Sequence, residues 1–272
     1  VIELPSIARR LRTLALLVTV ASAVACAGQL RGTVPPGTTE PDKFLFDRGT
    51  AALNEKKWLT AREFFKPIVE TYTQSPYRPD AKLGLADTYL GEGTAEALTL
   101  ALNEYREFLA FWPTNRRADY AQYKLAMTHF RQMRAPQRDQ TETREAIKEF
   151  EVFLERYPNS SLLPEVRQQL RVARDRLAES DYLVGFFYYR QRWYPGAIDR
   201  FKALLKMDPE YTGRDAVYFY LAESLLKGKV PAEALPYYEK LVEEFETSEY
   251  LEDAHKRIVE LKTPVQTKAA GG

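Results

Sequence analysis

The sequence predicts an all-α solenoid of about five helical hairpins, closed by a C-terminal capping helix. Three observations carry that prediction. First, a small residue is followed four positions later by an aromatic at Ala61/Phe65, Ala101/Tyr105, Ala146/Phe150, Ala197/Phe201 and Ala234/Tyr238. A small side chain lets two helices approach closely, and an aromatic one turn later fills the space between hairpins. Second, each of these segments follows an apolar-periodic stretch with its own small residue: Gly49, Ala86, Ala126, Gly185 and Ala222. Third, Pro113, Pro158 and Pro209 close three of the second helices. Proline stops a helix there because it lacks an amide donor and restricts the residue before it. An ordinary helical bundle would have to reproduce the same spacing by coincidence in every unit.

Taken in order, the chain opens with features of an export signal over residues 1–25. Arg9, Arg10 and Arg12 form a positive segment, and Leu14 to Val24 is an apolar run too short to span a bilayer comfortably. Two readings of its end compete. Ala23-Val24-Ala25 satisfies the Ala-x-Ala rule of secretory cleavage. With Cys26 it also reads as a lipobox, with Ala23 where leucine is usual and the chain's single cysteine in the required place. On the second reading Cys26 is lipidated, and several acyl chains on one cysteine suffice for stable anchoring. Arg9-Arg10 also admits a twin-arginine signal, though the flanking pattern is poor. Residues 26–43, rich in proline and glycine, read as a flexible tether.

The repeats begin at Phe44. The second unit carries a short insertion at Gly91-Glu92-Gly93, and the third a longer one around Arg134 to Thr141. An additional helix is expected from about Pro164 to Ser180. Tyr182 to Arg190 has strand-like composition but is read as helix, because Gly185 keeps the repeat register. The fourth unit fits the repeat best; the fifth lacks a closing proline. Leu251 to Leu261 caps the stack, and residues 263–272 are expected to be a disordered tail.

Composition limits function. Of 272 residues, 45% are hydrophobic and 28% charged, enough for a core, while a net charge of +1 offers no electrostatic case for nucleic acid. The two histidines, His129 and His255, lie far apart in sequence and suggest no zinc-type cluster. No phosphate-binding glycine loop is present, and most carboxylates have Lys or Arg at i±4, the pattern of a solvated helix face. No catalytic residue, cofactor or metal is therefore expected.

The spacing is that of the tetratricopeptide repeat, and the span from Phe44 to Leu261 resembles more narrowly the BamD family of outer membrane protein assembly factors. The matching stretches are Pro76-Tyr77, Asp119-Tyr120-x-x-Tyr123, Arg138-Asp139 leading to Arg144, Ala146 and Phe150, Tyr157-Pro158-Asn159-Ser160, Asp175-Arg176-Leu177-Ala178 and Tyr188. The third-unit insertion and the lone cysteine match as well. The resemblance implies a non-enzymatic lipoprotein on the periplasmic face of the outer membrane. It further implies partnership with the periplasmic domains of BamA and with unfolded outer-membrane proteins. On that analogy residues 44–160 form the client side and 161–262 the BamA side. The alternative is another periplasmic tetratricopeptide scaffold, in envelope division or cell-wall synthesis; a solute-handling or export accessory lipoprotein is a weaker third.

Tyr120, Tyr123, Met127 and Phe130 share one helix face at i, i+3, i+7 and i+10. Either they accept apolar side chains of an extended client, with Tyr77 joining the same surface, or they pack the core. Arg200 matches, with one extra residue near Tyr194-Pro195-Gly196, an arginine that in the family contacts an acidic residue of BamA; a solvated helix arginine is the other reading. Arg131, Arg134 and Arg138 make the third insertion basic, as a functional loop or an ordinary solvated turn.

Overall fold

A computed structural model describes residues 34–263. The signal segment, Cys26 and residues 264–272 fall outside them, as does most of the tether. Eleven α-helices and no strand occur among the described residues. The chain divides into two compact units, with the boundary in sequence after Ala121.

The first unit holds α1 (Pro41–Asn54), α2 (Trp58–Glu70), α3 (Arg78–Glu92), α4 (Ala95–Phe111) and the first turn of α5 (Ala118–Phe130). α1 packs on α2, α2 on α3 and α3 on α4, and α1 also meets α3, the nearest-neighbour order of a helical solenoid. Ala61 and Phe65 sit in the core with Leu45, Ile68, Ala81 and Leu85. The Phe65 ring is wedged between α1 and α3. A Cβ on Gly49 or Gly84 would stand 2.7 Å from that ring, so only glycine admits it. Gly93, at φ 71°, ends α3 in the left-handed region, and Thr94 caps α4 by accepting the Ala97 amide at 3.2 Å.

The second unit holds the rest of α5, then α6 (Thr141–Arg156), α7 (Leu163–Arg190), α8 (Tyr194–Met207), α9 (Arg214–Lys227), α10 (Pro231–Glu244) and α11 (Leu251–Lys262). The expected additional helix and the first helix of the fourth repeat are one 28-residue helix, α7. Nothing between Ser180 and Tyr182 breaks it, since no glycine or proline intervenes and the i→i+4 ladder continues. Tyr182 to Arg190 is helical, as the Gly185 register required. Phe201 and Tyr238 are buried in one core, Phe150 and Phe153 in another. The capping helix lies against α10.

The turns repeat as faithfully as the helices. Lys56, Arg192 and Lys229 each adopt positive φ, at 57°, 61° and 64°. The amide after each of them reaches back five residues: Lys57 to Ala52, Trp193 to Tyr188, Val230 to Leu225. This is the Schellman arrangement, with a basic residue where glycine is usual. Between hairpins, Ser75, Asn115, Ser160 and Ser248 each accept the backbone amide two residues on. α4, α6 and α8 end two residues before Pro113, Pro158 and Pro209.

Candidate docking surfaces

In the first unit, Tyr77 immediately precedes α3. It is half-buried, its ring stacked on Phe46 with centroids 5.2 Å apart. Tyr120 is also half-buried. Its hydroxyl donates to both oxygens of Asp87 at 3.0 Å, and the Arg117 guanidinium lies 4.6 Å over its ring. Arg117 is itself oriented by Asp80 at 2.9 Å. Asp87 also accepts the buried Tyr105 hydroxyl at 2.6 Å. Burial, reinforced by that carboxylate, pushes the Tyr105 phenol far above its ordinary range, so it stays a donor at any working pH. Lys82, buried on α3, pairs with Glu104 and Glu107 of α4. Tyr120 is thus fixed by polar contacts and Tyr77 by its stack on Phe46, and each keeps part of its surface toward solvent.

In the second unit, the remaining residues of the sequence-predicted stripe divide by burial. Tyr123 is buried and donates to Glu165; burial first, then that carboxylate, raises its pKa. Met127 and Phe130 are half-buried against the core that contains Phe150, with Phe130 edge-on to Phe150 at 6.2 Å. Within the stripe, then, Tyr123 is a core residue, whereas Met127 and Phe130 keep part of their surface toward solvent. The insertion carries exposed Arg131, Arg134 and Arg138, and the Gln140 side chain donates to the carbonyls of Ala135 and Arg138. Arg176 of α7 donates to the Arg134 carbonyl at 3.1 Å, so the loop is held.

Arg200 is exposed on α8, with Asp181 of α7 within its electrostatic reach. Burial raises the Asp181 carboxyl, and Arg144 and Arg200 offset part of that. Nearby, a cavity of about 560 Å³ opens between α6, α7 and α8, floored by Ile147, Leu177 and Leu204 and rimmed by Glu151, Asp181 and exposed Met207.

Sequence reasoning missed an aromatic array in this unit. Phe186 lies against Tyr220 at 4.8 Å and Tyr189 against Tyr220 at 5.0 Å, while Phe219 stacks on Tyr250 at 4.8 Å. Lys227 sits 4.5 Å over the Tyr189 ring. The signal was present as Tyr182, Phe186 and Tyr189 at i, i+4 and i+7, one face of a helix.

Among the described residues no helix is long and apolar enough to cross a membrane. The outer membrane protein assembly factor BamD of Caulobacter vibrioides is 27% identical, over 79% of this chain and 69% of its own. That of Vibrio cholerae is 28% identical over 62% and 73%, and that of Rickettsia prowazekii 25% over 80% and 86%. A solved TPR2AB-domain:pHSP90 complex of yeast Sti1 overlays with a TM-score of 0.45 at 14% identity, covering 81% of this chain and 82% of that one. The YfiO family, described as outer membrane lipoprotein, matches residues 38–234, from the approach to α1 into α10. On that match, and on the hairpins it overlies, this chain belongs to the YfiO outer membrane lipoprotein family, in the company of the BamD assembly factors.

Proposed function

We propose that this chain is a periplasm-facing subunit of the β-barrel assembly machinery, lipid-anchored in the outer membrane. It binds the periplasmic domains of BamA and receives unfolded outer-membrane proteins for insertion. The family match over 38–234 carries this reading, because it covers most of the helical hairpins rather than one motif. Cys26 bears the lipid and residues 26–43 form the leash; residues 44–160 are the client side and 161–262 the BamA side.

Chemistry supports the assignment of roles. An extended client strand offers apolar side chains in alternation. Tyr77 and Tyr120 in the first unit, and Met127 and Phe130 in the second, are half-buried and offer aromatic and thioether surface to such side chains. Tyr123 supports Met127 and Phe130 from within. Arg200 is exposed, and its planar fork suits a carboxylate of BamA. The roles are those of a binding scaffold, with no catalytic step.

The test is capture from detergent-solubilised membranes on the tagged chain. BamA is recovered, and Arg200→Glu lowers the yield about tenfold or more, as expected for reversing one partner of an interfacial charge pair. Recovery of cell-wall enzymes without BamA would replace this reading with that of an envelope scaffold. Cys26→Ser moves the chain from the membrane pellet to the soluble fraction; unchanged fractionation would remove the lipid from the account.

A further inference from the structure

A polar cluster between α5 and α6 lies within the second unit and has no part in the docking surfaces. His129 on α5 is buried, and its Nδ1 stands 2.7 Å from a Glu142 oxygen. Glu145 and Glu149 follow on α6, one turn apart and therefore on one face. One ring nitrogen of His129 and one carboxylate oxygen from each of Glu145 and Glu149 all lie within 4.8 Å of one another. Glu149 is held in place: Gln122 donates to its carboxylate at 2.7 Å and to its backbone carbonyl at 3.0 Å.

We propose that His129, Glu145 and Glu149 bind a divalent first-row metal ion, zinc being the best match, and so clip α5 to α6 at the base of the Arg131–Gln140 insertion. With Nδ1–H donating to Glu142, the imidazole is the tautomer that directs Nε2 to a metal. A carboxylate behind a ligating histidine is the usual outer-shell arrangement, and it raises the basicity of the ligating nitrogen. Two carboxylates and a neutral imidazole balance a doubly charged ion. The nitrogen donor disfavours magnesium and calcium, which take oxygen ligands, and suits zinc. Donors around tetrahedral zinc lie roughly 3.4 Å apart, given metal–ligand distances near 2.1 Å. Glu145, half-exposed, closes that gap by side-chain rotation and Glu149 by turning its carboxylate about the hydrogen bond from Gln122, while His129 stays fixed. Lys148, 3.6 Å from Glu145, is largely exposed and turns to solvent. Three protein ligands leave the fourth position to water. The rival arrangement is the hydrogen-bonded cluster alone, with His129 on Glu142 and Gln122 on Glu149 and no metal.

The experiment uses the full chain with Cys26→Ser, so that no thiol competes. Zinc is titrated against a chromophoric chelator, and cobalt serves as the spectroscopic probe. The expected result is one zinc per chain, visible cobalt absorption, and a melting temperature raised by several degrees in zinc. His129→Gln and Glu149→Gln abolish the cobalt bands. Glu142→Gln, which removes only the group behind the imidazole, weakens zinc roughly 10- to 100-fold. His255→Gln, at an exposed histidine outside the cluster, leaves binding unchanged. Should His129→Gln fail to fold, Glu145→Gln keeps the buried imidazole in place and is expected to weaken binding by itself. The proposal is overturned if the chain takes up no stoichiometric zinc, or if binding survives both Glu145→Gln and Glu149→Gln; either result leaves the hydrogen bonds alone holding the cluster.

Discussion

The second and fifth hairpins carry tyrosine where the first, third and fourth carry phenylalanine, and the difference reaches across each hairpin to the partner helix. Tyr105 donates to Asp87 at 2.6 Å and Tyr238 to Glu223 at 2.7 Å. Both carboxylates directly follow the small residue of the first helix, Ala86 and Ala222. In the phenylalanine hairpins the residue after the small one is Thr50, Met127 or Phe186, none of them acidic. Burying a phenol hydroxyl without a partner is costly, so the ring that gains the hydroxyl is matched by an acceptor on the facing helix. Phenylalanine needs no such match, and the first and fourth hairpins instead make room by size: a Cβ on Gly49 would meet Phe65, and one on Gly185 would meet Phe201, each at 2.7 Å. One architecture is thus held by two kinds of contact, a polar latch and a steric wedge.

The sharpest way to break this comparison is to add the hydroxyl without the acceptor. Phe150→Tyr places a phenol in a core of Phe153, Val166 and Leu170. It is expected to destabilise by about 2–4 kcal/mol, through an unpaired hydroxyl and overpacking together. Met127→Asp in the same chain supplies the missing acceptor and should return about 1 kcal/mol or more, read as the coupling energy of a double-mutant cycle in urea unfolding. Additive effects would mean that tyrosine and the acid are paired in the two hairpins by coincidence.

A smaller effect separates the two latches from each other. Asp87 is half-exposed and keeps the Tyr120 hydroxyl, so it stays solvated and hydrogen-bonded when Tyr105 is removed. Glu223 is buried, and it accepts Tyr238 and the Arg257 Nε at 2.7 Å each, with Lys227 at 3.4 Å. Tyr238→Phe should therefore cost about 1.5–3 kcal/mol, the range for a hydrogen bond to a charged group, and Tyr105→Phe about 0.5–1.5 kcal/mol. Equal losses in the two unfolding midpoints would show that burial of the acceptor does not set the strength of the latch.

The repeat itself was legible in sequence because its signals are local. Alanine with an aromatic four residues on reports a close helix pair, and the three closing prolines each fall two residues beyond a helix end. The fusion of two expected helices into α7 was not legible, since a helix end is marked by breakers and their absence at Asp181 is a weaker sign. The tyrosine–carboxylate latches were visible in principle, but only by comparing positions 18 and 15 residues apart in separate hairpins. Burial divides Tyr123 from Met127 and Phe130 on one helix face, and periodicity alone cannot rank depth within a face. His129 and His255, read as too distant to form a cluster, left unseen the carboxylates that α6 brings beside His129.

The weakest expected effect concerns acid. Burial opposes ionisation of Glu223, but the hydrogen bonds from Tyr238 and Arg257, with the charges of Arg257 and Lys227, outweigh it and hold its pKa below the ordinary 4.5. A carboxylate with a depressed folded-state pKa stabilises the fold above its unfolded value. That stabilisation is lost as pH falls below about 4.5, through the lowered pKa. Glu223→Gln should accordingly reduce stability near neutral pH by about 1 kcal/mol or more, with the gap from the unsubstituted chain closing as pH drops from 5 toward 3. Other carboxylates with lowered values, such as Asp42 beside Ser75, titrate alike in both proteins and cancel in the difference. Parallel stability curves across that window would mean that Glu223 is held by geometry and not by its charge, and that the fifth hairpin's latch is no more electrostatic than the wedge at Phe201.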